Sequence, residues 1–241
     1  MQKILRRIVA AVVWIIIWQL VAMVIHNKIL LAGPIDTLLA LGSLSQTSGF
    51  WDSVLQTTGR ILLGFLLGSA IGIILSYIAY TRSWVEEFLK PLIAALKSVP
   101  VASFVILLLI WFGNRNISVI ICAMVVFPIL YLNTLEGLKS TDVRLLEMAK
   151  VYRMPAGRVL HYIYLPQLKP FFKSAFKLAI GMSFKSGIAA EVIGQPLHTI
   201  GNGLYLSKIY LETADLFAWT IVVVLISFIC EKIITKVIDI L

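Results

Sequence analysis

The sequence predicts an all-α protein that is embedded in a membrane and crosses it six times. Hydrophobic residues make up 60% of the 241 residues, charged residues make up 14%, and the mean hydropathy is +0.95. Soluble globular domains do not reach such values. Six apolar segments each have the length of about 20 residues that an α-helix needs to cross about 30 Å of hydrocarbon. They occupy residues 8–26, 58–79, 88–112, 117–136, 168–190 and 214–235.

The first apolar segment is predicted to be a retained anchor helix. Residues 1–7 are basic, as in a signal peptide, but the apolar run is too long and no small-residue cleavage site closes it. Residues 27–56 are more polar and contain Gly33-Pro34, which predicts an outer loop with short interfacial helices. We therefore divide the chain into residues 1–55, an anchor helix with an extracytoplasmic loop, and residues 56–241, which form the core.

The lysine and arginine residues orient the predicted spans. With the amino terminus inside, fourteen basic residues, beginning with Lys3, Arg6 and Arg7, are cytoplasmic, four are outside and three lie within spans. Cytoplasmic loops are enriched in such residues, so the bias predicts that both termini are cytoplasmic. The net charge of +9 follows from the same bias, and no nucleic-acid partner is expected.

The two cysteines, Cys122 and Cys230, lie in separate apolar runs without neighbouring metal-ligating side chains. The sequence therefore predicts neither a disulfide nor a metal site.

The second span carries three glycines at four-residue spacing, Gly64, Gly68 and Gly72. This spacing places them on one helix face, where the lack of side chains lets another backbone approach closely. The face could pack within the subunit, or it could line a dimer interface or the pore, and the sequence leaves both possibilities open.

The third span is interrupted by Pro91 and Pro100, and the fourth contains Pro128 as a weaker signal. Each proline removes a helix donor, and backbone freed at membrane depth is tolerated where protein or a watery cavity surrounds it. Lys97-Ser98-Val99-Pro100 is therefore a candidate for the lining of a solute pathway, with a simple proline kink as the alternative.

Three ionisable residues at membrane depth stand out, namely Lys97 and Lys185 within predicted spans and Glu191 directly after the fifth. Each costs about 2.5–3.5 kcal/mol on insertion scales, so each should face protein or water and is a candidate pathway residue. Lys185 and Glu191 are separated by about 240° around a helix, so they do not pair with each other. Lys185 either has a structural partner on another helix or lines the solute pathway. Glu191 could instead mark the outer end of span five. Two cations would favour an anionic solute.

Residues 140–166, here called the interspan loop, connect spans four and five on the predicted cytoplasmic side. Asp142 is suited to cap a helix. The apolar positions that follow it recur at helical spacing: Leu145, Met148, Ala149 and Tyr152. A turn at residues 154–157 and a second short helix that ends at Leu165-Pro166 are predicted to complete a knob that docks a partner. The alternative is an amphipathic pair in the headgroup layer.

The interspan loop resembles the E-A-A-x3-G-x9-I-x-L-P signature of binding-protein-dependent ABC transporter permeases. The positions that agree are Glu147, Ala149, Ile163, Leu165 and Pro166. Met148 stands where the family has its first alanine and Arg153 where it has its glycine, and we expect Gly157 to take over the turn.

The resemblance covers most of residues 55–235. Residues 96–113, residues 127–146 and the stretch Gly187–Gly194 resemble the branch that imports nitrate, sulfonates, taurine, bicarbonate or thiamine precursors.

The resemblance implies a transport subunit of the bacterial inner membrane, surrounded by lipid. Its implied partners are cytoplasmic ABC ATPase subunits, an extracytoplasmic solute-binding protein and a second permease copy. Glu147 and Ala149 are implied to sit at a groove of the ATPase, within a coupling segment that also contains Met148, Arg153, Gly157, Ile163, Leu165 and Pro166. The chain has no G-x-x-x-x-G-K-[ST] motif, so ATP is expected on the partner, and neither a cofactor nor an enzymatic activity is expected here.

Two other classes of protein remain as alternatives. The scaffold subunit of an energy-coupling vitamin importer also has coupling helices, but its paired Ala-Arg-Gly motifs are missing here. An intramembrane enzyme is disfavoured because H-E-x-x-H and G-x-S-x-G motifs are absent, and because His26, His161 and His198 are scattered over both predicted membrane sides, so no catalytic residue is assigned. The sequence does not identify the solute, because in this architecture an external binding protein selects it.

Overall fold

The computed structural model describes residues 2–240, without the side chains of residues 2–4, 7 and 240. The described residues are 86% helical and contain no strand, which confirms the all-α prediction. The helices are α1 Gln2–Ile25, α2 Pro34–Ser45, α3 Ser48–Thr81, α4 Ser83–Ser98, α5 Val101–Phe112, α6 Ile117–Lys139, α7 Val143–Val151, α8 Ala156–Val159, α9 Leu165–Gly194, α10 Ile200–Ile209 and α11 Thr213–Ile240. The side chains of Lys3 and Arg7, which enter the predicted charge bias, lie outside the described residues.

Three helices within the described residues are long and apolar enough to cross a membrane, namely α1 from Ile8, α3 and α6. The helices α4 and α5 pass the same test only as a pair, which would be a fourth span. The helices α9 and α11 overlap the fifth and sixth predicted segments and are 30 and 28 residues long. The count of six spans stays a prediction.

Several helices differ from the predicted segments. Helix α3 begins at Ser48, ten residues before the predicted second span, because polar residues outside the hydrocarbon can be helical without any hydropathy signal. Helix α2 begins at Pro34, whose fixed φ suits a first helical position. The short helix α10 was not predicted, and it is capped by Thr199, whose Oγ1 accepts a 3.1 Å hydrogen bond from the backbone N–H of Asn202.

The predicted third span consists of two helices whose axes differ by 104°. Pro91 lies inside α4 and does not end it. The direction changes instead at Val99, which is extended, as the residue before a proline favours, and Pro100 caps α5. The interruption is therefore a break between two helices.

The chain forms two compact units. One comprises Met1–Thr57 with Gln195–Leu225, and the other comprises Thr58–Gly194 with Ile226–Leu241. The division after residue 55 stays a prediction. In the first unit Phe50 stacks on Trp219 with ring centroids 4.9 Å apart, and Trp18 donates its indole N–H to the carbonyl oxygen of Ala32 at 3.0 Å.

The core of the second unit is built by α3, α6 and α9. The glycine face of α3 lies directly on α6 of the same chain, since an added Cβ at Gly68 would be 2.6 Å from the carbonyl oxygen of Ala123 and one at Gly72 would be 2.9 Å from that of Phe127. The next interface is equally close, because an added Cβ at Gly187 of α9 would be 2.7 Å from the sulfur of Cys122 on α6. Small residues thus allow three helices to pack at backbone distance.

Candidate functional site

The interspan loop begins with the predicted cap. The Oδ1 of Asp142 accepts a 2.9 Å hydrogen bond from the backbone N–H of Arg144, and α7 follows. The backbone N–H of Asp142 in turn donates to the side-chain oxygen of Gln167 on α9 at 3.2 Å. The start of α7 is therefore attached to the helix that follows the loop.

Helix α7 ends in a Schellman motif centred on Arg153. The backbone N–H of Met154 donates to the carbonyl oxygen of Ala149 at 2.9 Å. The backbone N–H of Arg153 donates to the carbonyl oxygen of Lys150 at 3.1 Å. Arg153 has a φ of +49°, the left-handed conformation that costs other residues about 1–2 kcal/mol more than glycine. This geometry accounts for the glycine at this position of the family signature. Gly157 lies inside α8, so the expectation that it makes the turn is wrong.

The second half of the loop is continuous with α9. A π-helical segment, Leu160–Tyr164, joins α8 to α9, and the backbone N–H of Leu165 donates to the carbonyl oxygen of Leu160. Pro166 has no N–H to donate to the preceding turn, and a wider π turn accommodates the resulting gap. The second short helix was expected to end at Leu165-Pro166. The structure instead continues it into the next long helix, with Ile163 buried and Pro166 exposed.

The outward surface of α7 mixes apolar and charged side chains. Its exposed apolar side chains are Val143, Leu145, Met148 and Val151, followed by Tyr152 at its end, and its exposed cations are Arg144 and Lys150. Glu147 is also exposed and makes no hydrogen bond or ion pair to the described residues. Ala149 points the other way and is only 4% exposed. A surface with exposed apolar side chains, cations and an unpaired carboxylate is one that a partner can cover.

Two cavities adjoin the interspan loop. One is a groove of about 830 Å³ between α3, α6 and the segment from α8 to α9, and it is lined almost entirely by apolar atoms. The other has about 390 Å³ and is lined in part by Lys150, Arg153, Tyr80 and Tyr164. Sequence reasoning missed the two tyrosines, whose hydroxyl oxygens are 3.4 Å apart, because 84 residues separate them in the chain. Burial, together with the hydrogen bond between the hydroxyls of Tyr164 and Tyr80, raises the pKa of Tyr164 to about 12.

The candidate pathway residues lie in different environments. Lys97 is exposed in the last turn of α4, next to the break that contains Pro100, which is also exposed. Lys185 is exposed on α9, whereas Glu191 on the same helix is fully buried. The opposite environments of Lys185 and Glu191 agree with their predicted separation around the helix.

Lys185 differs from the other lysines of α9. Lys173 lies 2.7 Å from Asp239, Lys177 lies 3.2 Å from Glu231, and Lys169 donates to the carbonyl oxygen of Asp239 at 2.9 Å. The carboxylates belong to α11, so these lysines tie α9 to α11. Lys185 makes no hydrogen bond or ion pair with any residue that the structure describes.

The comparisons with known proteins point to one family. Residues 61–239 match the family of binding-protein-dependent transport system inner membrane components. The chain is 25% identical over 210 residues to the putative aliphatic sulfonates transport permease protein SsuC of Bacillus subtilis, which covers 86% of this chain and 76% of the relative. It is 26% identical over 180 residues to the formylaminopyrimidine transport permease protein ThiX of Halalkalibacterium halodurans, with 74% and 72% covered. It is 24% identical over 229 residues to the taurine transport system permease protein TauC of Escherichia coli, with 92% and 82% covered.

Proposed function

We propose that this chain, which belongs to the family of binding-protein-dependent transport system inner membrane components, forms the solute pathway of an ATP-driven importer and couples it to a separate ATPase subunit. Within that family it is an ABC permease of the branch whose members include permeases for sulfonates, taurine and bicarbonate. The observation that carries the proposal is the interspan loop, which has the signature spacing and a short helix that exposes apolar side chains beside an unpaired carboxylate.

The proposed permease crosses the bacterial inner membrane six times, with both termini in the cytoplasm. The pair α4 and α5 forms one broken span, and α9 and α11 form the fifth and sixth spans. The bias of basic residues toward one side supports this orientation. Two copies assemble in lipid with two ATPase subunits, which bind the ATP, and with an extracytoplasmic solute-binding protein.

Glu147 and the exposed apolar side chains of α7 belong to the surface that enters the groove of the ATPase. A charge-assisted hydrogen bond from Glu147 would contribute about 1.5–3 kcal/mol, and the exposed apolar side chains would lose their contact with water. Ala149 supports this surface from beneath, since it is buried within the chain. A bulky side chain at position 149 would therefore act by displacing α7.

Movement of the loop reaches the pathway through α9. Because α8, the π-helical segment and α9 are continuous, a displacement of the loop by the ATPases carries the base of α9 with it. Lys185 lies on that helix. Closure and opening of the ATPase pair would thus switch the pathway between its two orientations by a rigid-body movement.

The solute is proposed to be a small anion, such as a sulfonate. An exposed lysine at membrane depth is costly unless it meets water, protein or an anion, and Lys185 has no partner among the described residues. With two copies, the pathway would carry at least two such cations, which favours anions electrostatically. The similarity to a formylaminopyrimidine permease supports a thiamine-precursor-like solute as the second candidate. The match to binding-protein-dependent permeases argues against the energy-coupling scaffold and the intramembrane enzyme.

The test is a charge reversal, Glu147→Arg, with Glu87→Arg as the matched control. Glu87 is also exposed and makes only a 3.4 Å surface ion pair with Lys90, which contributes little. We expect Glu147→Arg to weaken binding of the ATPase subunit about ten- to 150-fold and the control to leave it unchanged. Co-purification of the ATPase at wild-type yield with Glu147→Arg, together with normal solute-stimulated hydrolysis, would contradict the proposal.

A further inference from the structure

The two cavities beside the interspan loop share part of their walls. Val159 and Tyr164 line both of them. The larger groove is built from the ends of three long helices, with Tyr77 on α3, Leu138 on α6 and Phe172 on α9. The smaller cavity lies under α7, on the side of the helix that carries Ala149. The two cavities therefore adjoin each other, and together they are here called the recess, which has an apolar part and a polar part.

The chemistry of the two parts differs sharply. The groove is lined by aliphatic and aromatic side chains, and none of its lining residues is charged. The smaller cavity is lined by two cations, Lys150 and Arg153, and no acidic side chain lines it within the described residues. Neither cation forms an ion pair with a described residue. Such a recess matches a molecule with a hydrocarbon chain and an anionic head.

The position of the recess matches the same kind of molecule. The helix ends that build the groove, near Thr81, Lys139 and Leu165, are those predicted to lie on the cytoplasmic side. The groove then lies at the depth of the acyl chains of the inner leaflet, and the cationic cavity at the depth of its headgroups. Phosphatidylglycerol-type lipids present one phosphate at that depth.

We propose that the recess binds one anionic phospholipid of the cytoplasmic leaflet, whose phosphate meets Lys150 and Arg153 and whose acyl chain fills the groove. This inference rests on the membrane orientation given in the proposed function. Tyr80 and Tyr164 lie in the wall of the cationic cavity with their hydroxyls hydrogen-bonded to each other, and the hydroxyl that accepts in this pair can donate its own proton to a phosphate oxygen. Tyrosine is neutral at physiological pH, and the raised pKa of Tyr164 has the same consequence, so it adds no repulsion toward the anion.

The bound lipid would brace the interspan loop against α3. Tyr80 belongs to α3, whereas Lys150 belongs to α7 and Arg153 to the turn after it. One phosphate that contacts all three residues would connect the interspan loop to α3. This connection would lie on the side of α7 opposite to the surface that is proposed to meet the ATPase. Arg153 supplies this cation from the left-handed position where the family signature has glycine.

The first arm of the test measures lipid binding to the purified full-length permease without the ATPase. Native mass spectrometry would follow the binding of added phosphatidylglycerol, with phosphatidylcholine as the neutral comparison. The double variant Lys150→Gln/Arg153→Gln should bind phosphatidylglycerol roughly 25-fold more weakly, since each cation near an anionic headgroup contributes about fivefold. The matched control is Arg144→Gln/Arg158→Gln, which removes two exposed cations of the same loop that line neither cavity.

The outcomes of this arm are decisive in both directions. The site is supported if only Lys150→Gln/Arg153→Gln loses phosphatidylglycerol binding and the single variant Arg153→Lys retains it. An equal loss in both double variants would mean that lipid is attracted only by the overall charge of the loop, and equal binding of the two lipids would mean that no headgroup is recognised. Either of these results overturns the proposal.

The second arm blocks the groove. Gly157 lines it, and an added Cβ there meets no atom within 4 Å, so Gly157→Phe can place a ring in the open space. Gly42→Phe is the control, because position 42 is equally open and lies in α2. We expect only Gly157→Phe to reduce phosphatidylglycerol binding. If it instead lowers the dimer fraction and leaves lipid binding unchanged, a second copy covers the groove and the proposal is wrong. ATPase binding by Glu147→Arg is measured separately, so the two proposals can fail independently.

Discussion

The close packing of α3 on α6 predicts that one substitution has opposite effects at two glycines of the same helix. At Gly68 an added Cβ would lie 2.6 Å from the carbonyl oxygen of Ala123 and 2.9 Å from the Cβ of Val126. Ordinary contacts begin near 3.4 Å, so Gly68→Ala must push the helices apart by about 0.8 Å at this point. At Gly59 an added Cβ meets no atom within 4 Å.

The expected magnitudes follow from these distances. Gly59→Ala should stabilise the protein by up to about 1 kcal/mol, because alanine is the better helix former. Gly68→Ala has the same advantage but adds the strain of overpacking, which costs about 1–3 kcal/mol. The propensity terms cancel in the comparison, so the free energies of unfolding of the two variants should differ by about 1–3 kcal/mol.

The assay is reversible unfolding of the purified permease by titration from mild detergent into dodecyl sulfate, followed by tryptophan fluorescence. The dimer fraction is measured in parallel. If Gly68→Ala is as stable as Gly59→Ala but loses the dimer, the glycine face meets a second copy and the assignment to packing within the subunit is refuted.

Three further predictions concern topology, the pathway and the turn. In a background without native cysteines, a cysteine at Gln46 should react with an impermeant reagent from outside and one at Pro155 should not; labelling of position 155 in intact cells would reverse the proposed orientation. If Lys97 and Lys185 line the solute pathway, replacing either by Met should lower solute uptake without loss of ATPase binding. Normal uptake in both variants would show that they do not line the pathway. Failure of the variants to assemble with the ATPase would indicate a structural role instead. Arg153→Gly should leave α7 folded and stabilise the turn by up to about 1 kcal/mol, because glycine adopts a φ of +49° without strain; a clear loss of thermal stability would contradict this account of the turn.

Local features of the loop were predictable because their causes are local. Asp142 caps α7 through an atom only two residues away along the chain, so a residue type at one position is enough to predict it. The turn was assigned to the wrong residue because the prediction used only the local residue type. The sequence offers Gly157 as the residue best suited to a left-handed conformation, but the Schellman bonds to Ala149 and Lys150 require it at Arg153. The number of residues in the helix, rather than the identity of any one residue, places the turn.

The charged residues of α9 likewise combine a feature that the sequence predicts with one that depends on the tertiary structure. Their angular separation follows from helix geometry, so the sequence predicts that Lys185 and Glu191 face different ways. Which of them is buried depends on the helices that pack on α9. The partners of Lys173 and Lys177 are likewise supplied by α11, more than 50 residues away.

The sequence by itself determined that this protein is an all-α membrane permease, because length, hydropathy and the spacing of the loop signature are properties of consecutive residues. The prolines at 91 and 100 indicated that the third span is interrupted, but only the tertiary structure decided that the break is at Pro100 and that α4 and α5 differ in direction by 104°. It also decided that the glycine face meets α6, that the loop continues into α9, and that two cavities beside the loop share Val159 and Tyr164 in their walls. These features arise from contacts between segments distant in the chain, whose geometry is set by the packing of whole helices and leaves no signal at any single position.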